Sequence, residues 1–575
     1  MHVATTRRQH GDKVYETHLL RRSYREDGKV KNQTLANLSH LPPEALVVIK
    51  ATLRGQVLVP ADASVEITRS LPHGHVAAIY AQARALGFPG LLGPPGRHRD
   101  MVLALIIARV ARPASKLATT RWWADTTLAH DLGVADASTD EVYVAMDWLA
   151  GRQDAIEAKL VRAHLTGPGN PDRLALFDLS SSWVTGSHCP LARGDSRDGK
   201  KGLPQIEYGL LTDPDGRPVA VRVFPGNTAE QVAFTTIATD VRTTFGLHDM
   251  VMVGDRGMIT SARIEHLREL GGFGWVTALR APAIAALAAD DGPLQMSLFD
   301  EMDLAEITHP DYPGERLIAC RNPALATERA RKRLALLDAT DSELAKITAA
   351  VTASRLVGAG AIGIRVGKTI GRYKMAKHYT LTITGDEFTY TRNQSAIDAE
   401  AHLDGVYIIR TTVPATQMSP DKVVATYKSL ARVERDFRSM KSIDLDLRPI
   451  HHYTETRVRA HVLICALAAY LVWHLRAAWA PLTFTDENRP EPADPVAPAR
   501  RSTAADRKAA TKTTTDDLPA RSFTSLLDHL ATLTRNDIRF LDINNTPIIS
   551  QLPLPTPTQR RAFELLGTPI PLKLK

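Results

Sequence analysis

The sequence is poor in cysteine, and none of its uninterrupted apolar runs is long enough to span a membrane. Its three cysteines, Cys189, Cys320 and Cys465, lie far apart and follow no zinc-ligand spacing, which excludes a disulfide framework and a zinc site. The apolar run "VLICALAAYLVW" (462–473) falls short of the ~20 residues that a spanning helix needs, so it predicts a buried helix. The start, "MHVATTRRQHG", lacks the apolar stretch of a signal peptide. We therefore expect a cytoplasmic protein with reduced thiols and no membrane contact.

Acidic residues are outnumbered by basic ones, mildly in the whole chain and strongly at its amino-terminal end. Lys plus Arg is 71 and Asp plus Glu is 63, which gives a formal net charge of +8. Within residues 1–60, ten basic residues face five acidic ones, and most of this excess lies in "RRSYREDGKVK". A basic surface favours a polyanion such as nucleic acid. The amino-terminal segment is therefore the better candidate for contact with phosphate.

The length of 575 residues predicts three or four structural units, at ~100–200 residues each. Hydrophobic periodicity and composition divide the chain further, and they indicate an α/β protein. The predicted segments are a basic β-rich module (1–60), a helical DNA-binding region (74–166), an α/β region (172–280), an inserted region (281–405), a second α/β part with an acidic helix (406–480), a disordered linker (485–522) and a tail (523–575).

Three local patterns support this division. A turn at Asp27-Gly28 predicts a hairpin, and Ser138 with Glu141 has the spacing of a helix-capping box. The two helical stretches joined by "GVADA" fit either a helix-turn-helix DNA reader or an ordinary helical bundle, and the bundle is favoured. The glycine-rich motifs "GAGAIG" (358–363) and "GIRVGKT" (363–369) lack the context or the spacing of nucleotide-binding loops. We interpret both motifs as a loop that leaves a long helix.

Two apolar runs in the α/β region each end in an aspartate. "LALFDLSSSW" carries Asp178, and "MVMVGDRGM" carries Asp255. Continuous apolar runs are typical of strands that are covered on both faces. A helix cap and a turn residue would explain such a pair without chemistry, and a dehalogenase-type phosphatase would require a second Asp where Ser180 stands. Metal chemistry, the third explanation, requires another carboxylate.

A helix after the insertion supplies that carboxylate. In "YKSLARVERDFRSMK" the residues Tyr427, Glu434 and Lys441 are seven positions apart. Seven residues are two helical turns with a drift of only ~20°, so the three side chains share one face, beside an apolar arc. A solvated helix with charges at this spacing is the alternative, but it does not explain the alignment beside the arc.

Asp178, Asp255 and Glu434, with the Tyr427/Glu434/Lys441 helix, resemble the DDE transposases of bacterial insertion sequences, specifically the branch with a Tyr-x2-Arg-x3-Glu-x6-Lys signature. The resemblance covers residues 10–480, and its specific parts are "FDLSSSW", "VFPGNTAE", "VGDRGM", "LDGVYIIRT" and "VERDFRSMKSIDLDLRPIHHYTETRVRAHVLI". The Arg of the signature falls on Leu430. Arg438, one turn beyond Glu434, is the candidate replacement.

The resemblance implies a ribonuclease-H-like core that is interrupted by a mostly β insertion before the acidic helix. It implies two Mg²⁺ ions, replaceable by Mn²⁺, held by Asp178, Asp255 and Glu434, and DNA contacts from Tyr427, Lys441 and the replacement arginine. The expected partners are terminal inverted repeats and target DNA, bound by a homodimer on paired ends in the nucleoid. The expected activity is cleavage at the ends of an insertion sequence and strand transfer into target DNA. The alternatives are a DNA-binding protein derived from a transposase without cleavage activity and a metal-dependent nuclease.

Overall fold

The computed structural model describes the chain except for residues 11–12, 27, 56–64, 186–187, 198–199, 290–291, 301, 491–493, 495, 498 and 542–547. The strands are β1 (His2–His10), β2 (Lys13–Glu26), β3 (Lys29–Asn37), β4 (Val65–Pro72), β5 (Leu174–Trp183), β6 (Gln205–Thr212), β7 (Pro218–Pro225), β8 (Met250–Val253), β9 (Phe273–Ala278), β10 (Leu304–Ile307), β11 (Arg316–Arg321), β12 (Tyr379–Ile383), β13 (Phe388–Arg392), β14 (Val406–Thr411), β15 (Thr534–Phe540) and β16 (Ile549–Gln551).

The helices are α1 (Pro43–Leu53), α2 (Gly74–Ala85), α3 (Phe88–Leu92), α4 (Arg97–Ala111), α5 (Lys116–Ala124), α6 (Thr127–Leu132), α7 (Thr139–Ala150), α8 (Gln153–Leu165), α9 (Glu230–Thr243), α10 (Ser261–Leu270), α11 (Ala281–Leu287), α12 (Pro323–Thr352), α13 (Ala359–Tyr373), α14 (Gln394–His402), α15 (Pro420–Lys428), α16 (Leu430–Arg438), α17 (Glu455–Ala478), α18 (Thr503–Thr511), α19 (Phe523–Ala531) and α20 (Pro557–Leu565). A π-helical turn, Ser439–Ile443, follows α16.

The chain forms two compact units, an amino-terminal unit of residues 1–71 and 534–553 and a main unit of residues 72–533 and 554–575. In the amino-terminal unit, β1, β2 and β3 form one antiparallel sheet, and β16, β15 and β4 form another. Pairing of Glu26 with Lys29 confirms the predicted hairpin. Of its turn residues, Gly28 has the φ of +76° that favours glycine, and Asp27 lies outside the described residues.

An eight-stranded sheet organises the main unit, in the order β10-β11-β14-β9-β8-β5-β6-β7. Strands β5, β8 and β9 run parallel to one another, whereas β6, β7, β14, β11 and β10 add in antiparallel fashion. Strands β6 and β8 are wholly buried, the polar Glu207 of β6 included, and β5 is buried over its apolar first half, because helices pack on the sheet. The mixed α/β class that the sequence predicts is confirmed.

The helices between residues 74 and 165 share one hydrophobic core with the sheet and with α17. The capping box of Ser138 and Glu141 is present at the start of α7, as predicted. Helix α17 is long and apolar enough to cross a membrane, but 83% of its most apolar 18-residue stretch is buried within the protein. It therefore serves as the central core helix of the main unit, which confirms the buried helix that the sequence predicts.

The prediction of a mostly β insertion is wrong for the described residues. Between residues 281 and 405 the longest elements are α12 and α13, whereas β12 and β13 are a hairpin of five-residue strands. The glycine-rich motifs, predicted as a loop, form α13. Its apolar residues Ile362, Val366 and Ile370 are four positions apart and pack in one cluster with α12. This burial stabilises the helix by more than the ~1 kcal/mol that each glycine costs.

The predicted linker is also structured in the part of it that the structure describes. Ser502 caps α18, and Lys508 on that helix is buried, with Nζ donating to the carbonyl oxygens of Ala480 and Thr485. Val496 lies in the main core. Composition indicated disorder because apolar side chains are few there, but buried hydrogen bonds from one lysine hold the segment.

Close packing at Gly209 predicts a measurable cost of substitution. Gly209 on β6 pairs with Leu179 on β5, and a Cβ at position 209 would lie 2.3 Å from Cζ of Phe177. We expect Gly209→Ala to lower the free energy of unfolding by ~1–3 kcal/mol, because the buried ring must move. Gly367→Ala is the matched control, since position 367 is open and mid-helical and should gain up to ~1 kcal/mol. Urea unfolding of both variants checks this, and equal stabilities would contradict the packing argument.

Candidate active site

Asp178 lies halfway along β5, which stands between β8 and β6 in the eight-stranded sheet. The sequence analysis placed it at the end of its strand, but β5 continues to Trp183 because β6 pairs with it along this whole length. Oδ1 of Asp178 accepts a hydrogen bond from the N–H of Leu179 at 2.8 Å. Burial, and then the negative charges of Asp255, Glu434 and Glu230, raise the pKa of Asp178 to about 7.

Asp255 reaches the same level of the sheet from the neighbouring strand. Leu176 of β5 pairs with Val253 of β8 in parallel register, so Asp178 and Asp255 each lie two residues beyond a paired position. The Asp255 side chain is exposed, and its Oδ1 accepts the N–H of Gly257 at 2.7 Å. The helix-cap interpretation is wrong, because α10 begins at Ser261 after Thr260. Asp255 instead closes the turn that follows its strand.

Glu434 lies on α16, which packs on β5 through Val433 and Phe437. The Phe437 ring meets Tyr208 of β6 edge to face, with centroids 5.6 Å apart, and this contact fixes the helix on the Asp178 face of the sheet. Glu434 itself is exposed. Its charge acts on Asp178, so the structure brings the three predicted carboxylates into one electrostatic group.

Tyr427 joins this group, although the helix that carries it is not continuous. The predicted single helix over 427–441 is interrupted at Ser429, where α15 ends, and it finishes in the π-helical turn. Burial and the charges of Asp255, Glu434 and Asp178 raise the pKa of the Tyr427 hydroxyl to about 12, while Arg256 lowers it. Tyr427 therefore faces the carboxylates.

The two predicted basic residues are placed differently. Arg438 is the exposed last residue of α16, and Lys441 is half-buried in the π-helical turn. Neither Arg438 nor Lys441 is among the main charges that shift the pKa of Asp178 or of Tyr427. Leu430, at the arginine position of the signature, packs partly buried against the core. The basic group that acts on Tyr427 is Arg256, which the sequence analysis missed.

A fourth acidic residue, also missed, lies beside this group. Glu230 is the first residue of α9, and its Oε2 lies 2.9 Å from the point that a Cβ on Gly257 would occupy. Oδ1 of Asp255 lies 3.7 Å from the same point. Burial raises the pKa of Glu207, the charge of Arg197, whose Nη2 lies 3.0 Å away, partly offsets this rise, and Glu230 adds to it. The segment "VFPGNTAE" contains Glu230. Only the packing of α9 beside Gly257 shows that this residue belongs to the acidic group.

The donor set fits a divalent metal in its chemistry. Carboxylate oxygens are the ligands of Mg²⁺. Burial raises the pKa of Asp178 first and repulsion by the neighbouring carboxylates raises it further, and a cation between these groups would relieve that repulsion. In the part of the chain that the structure describes, no three His, Cys, Asp or Glu side chains already form a metal-binding cluster. The carboxylates therefore lie near one another, but their oxygens do not yet converge on one metal position.

Comparison with known families agrees with this arrangement. A model of the transposase DDE domain matches residues 170–471, more than half of the chain. A model of the amino-terminal domain of IS1634 family transposases matches residues 3–58. No curated protein matches the chain.

Among solved structures, the chain is similar to a piggyBac transposase in a synaptic complex with hairpin DNA. The identity is 8%, over 71% of this chain and 73% of that chain, with a TM-score of 0.33. The family match itself covers both the strands and the helix that carry the gathered carboxylates. The chain therefore belongs to the DDE transposase family and is a DNA-cleaving transposase of an insertion sequence.

Proposed function

We propose that Asp178, Asp255 and Glu434 are the catalytic, divalent-metal-binding residues of this transposase. The observation that carries this proposal is the shared electrostatic field of the three carboxylates on two adjacent parallel strands and one packed helix. The strand order β7-β6-β5-β8-β9, with β5, β8 and β9 parallel, supports a ribonuclease-H-like core. We place the chain in the Tyr/Arg/Glu/Lys branch, with Leu430 as its departure from the signature.

The carboxylates and the neighbouring Tyr427, Lys441 and Arg438 would have different roles, the first in metal binding and the second in DNA contact. The chemistry that two bound Mg²⁺ ions, or Mn²⁺ in their place, would supply here is Lewis-acid activation of the attacking and leaving oxygens at one phosphorus. Asp178, Asp255 and Glu434 would hold these ions through their carboxylate oxygens. The Tyr427 hydroxyl faces the carboxylates and, like any tyrosine, is protonated at neutral pH, so it can donate a hydrogen bond to a DNA phosphate. Lys441 and Arg438 would contact the backbone farther along the strand.

The substrate is DNA at the two ends of the element, followed by target DNA. We propose that two copies of the chain act on paired ends, within the cytoplasm and on the nucleoid. The exposed basic strands β2 and β3, which carry Arg22, Arg25 and Lys29, would add phosphate contacts. Such contacts release counterions, so end binding should weaken steeply with salt.

Strand transfer tests this proposal against a metal-dependent nuclease and against a DNA-binding protein without cleavage activity. The purified chain is incubated with a labelled end duplex, a supercoiled target and Mg²⁺. We expect nicking at the element end and joining to the target. Cutting without joining would favour the nuclease, and binding without either step would favour the DNA-binding protein.

Ion binding has a readout that does not depend on activity. The folded-state pKa of Asp178 lies near 7, above its ordinary 3.8, so the stability that this group contributes at low pH is lost as pH rises through 7. At pH 8 we expect Mg²⁺ to raise Tm by roughly 1 °C for each kcal/mol of binding, because the unfolding entropy of so large a unit is high. Asp178→Asn should raise Tm in EDTA and remove most of the Mg²⁺ response. An unchanged Mg²⁺ response in this variant would exclude Asp178 as a ligand.

A further inference from the structure

A second polar cavity lies in the main unit, away from the carboxylates. It has a volume of about 400 Å³ and is lined by residues of α4, α5, α7 and α17 and of the segment 446–452. Its polar lining includes Arg109, Lys116, Tyr143, Arg448, His452 and His461. Val184, just past β5, bridges to Ile450 in this segment. The bridge lies six residues beyond Asp178, or roughly 20 Å along an extended strand.

Lys116 is the least expected side chain in this cavity, because a buried ammonium normally has a carboxylate partner. Only 5% of Lys116 is exposed, and its Nζ lies 3.2 Å from Nδ1 of His461. Nε2 of His461 lies 3.0 Å from the carbonyl oxygen of Leu447. The ring therefore donates to Leu447 and accepts from the lysine, which leaves two of the three ammonium protons for another acceptor.

Arg109 places a second buried cation beside the first. Its guanidinium is 5% exposed and donates to main-chain carbonyls, at 2.9 Å to Ala114 and at 3.4 Å to Leu445. Burial and this neighbouring charge lower the pKa of Lys116 to about 7, and they lower the pKa of His452 to about 3 together with other nearby cations. Among the described residues that line the cavity, the single acidic one is Asp446, which is exposed.

Two buried basic groups without a buried anion are unfavourable as cations, which is why the pKa of Lys116 falls. A bound anion would favour the charged lysine again and supply its missing partner. The donors here match a tetrahedral oxyanion, since a lysine contributes a point charge and arginines contribute directed N–H groups. Pro449 and His451, both exposed, lie at the mouth of the cavity, which gives access from the surface. Arg448 lies over the Trp183 ring at 4.6 Å and brings further positive charge to that side.

We propose that this cavity binds a phosphate group, and that the backbone of the DNA substrate supplies it. Lys116 would hold the phosphate at the inner end, and Arg448 would hold the chain at the mouth. The proposal uses the DNA-cleaving activity of the chain but not the assignment of the three carboxylates. It adds a DNA contact that lies several nucleotides from the site of cleavage.

The test measures binding to an end duplex in which one backbone phosphate at a time is replaced by a neutral methylphosphonate. For the wild type we expect one position, several nucleotides from the cleavage site, at which neutralisation weakens binding roughly 10- to 100-fold. Lys116→Met should weaken binding to the unmodified duplex by a similar factor and show no further loss at that position. Lys346→Met, an exposed lysine paired with Glu343 on α12, removes the same charge and should keep the wild-type profile.

A second arm uses inorganic phosphate alone and follows Tm against chloride at equal ionic strength. A coupled position in the duplex scan supports the proposal. A phosphate-dependent rise in Tm that needs Lys116, without any coupled position, would overturn DNA as the source, and the absence of both effects would overturn the site. If Lys116→Met does not fold, Arg448→Gln at the mouth carries the same scan. Cleavage is not measured, so a failure of the carboxylate assignment would leave this result unaffected.

Discussion

Asp178→Asn and Asp255→Asn should each abolish nicking while leaving binding to the element ends nearly unchanged. Asparagine keeps the size of the side chain but removes the negative charge that a divalent ion requires. The loss of several kcal/mol of transition-state stabilisation corresponds to a fall in rate on the order of 10³-fold or more. The rate of nicking of a labelled end duplex in Mg²⁺, together with a gel-shift measurement of binding, gives both quantities.

Asp386→Asn is the matched control for this experiment. Asp386 is exposed in the turn between β12 and β13, far along the chain from both strands that carry the aspartates. The Asp386→Asn variant should cleave DNA at the wild-type rate. Wild-type nicking by Asp178→Asn or Asp255→Asn would remove that residue from the catalytic site.

Replacement of Glu434 and replacement of Lys441 should have different effects on activity. If the helix were only a solvated surface, the two replacements would behave alike. If both were ordinary surface charges, replacement by Ala would cost under ~0.5 kcal/mol of stability and little activity. Because Glu434 acts on Asp178, we expect Glu434→Ala to eliminate nicking and joining. Lys441→Ala should leave a slow enzyme with weakened end binding. Binding, nicking and strand transfer of the purified variants are measured with Mg²⁺ and with Mn²⁺.

Mn²⁺ adds a distinction between the two defects, since it is less exacting about its ligands. It should partly rescue an altered ion site, but it cannot restore a missing phosphate contact. Glu387→Ala removes an exposed carboxylate from the turn between β12 and β13 and should behave as the wild type. Strand transfer at the wild-type rate by Glu434→Ala would overturn the third-carboxylate assignment.

Local sequence patterns were sufficient for much of the site. The apolar runs before Asp178 and Asp255 specify buried strands, since a strand covered on both faces needs apolar residues at every position. The seven-residue spacing of Tyr427 and Glu434 predicted a shared orientation. That orientation survives the break at Ser429, because this residue keeps helical dihedral angles. The family prediction is confirmed over residues 170–471 and 3–58.

The sequence misled where composition and burial point in different directions. Glycine spacing indicated a loop at 358–369, but the apolar residues of α13 pack on α12 and stabilise a helix there. A shortage of apolar residues indicated disorder after residue 485, but Lys508 ties that segment to the body through buried hydrogen bonds. Propensity is a weak prior that tertiary contacts override.

The sequence by itself determined which apolar runs form buried strands, that Asp178 and Asp255 come directly after those runs, and which helix face carries Glu434, because these features depend on the pattern within one element. Only the tertiary structure decided that Glu230 lies beside Gly257, that Arg256 acts on Tyr427, and that Lys116 meets His461 from 345 residues away. Those three contacts join elements distant in the chain. Their existence depends on how the strands and helices pack, and no local periodicity encodes that packing.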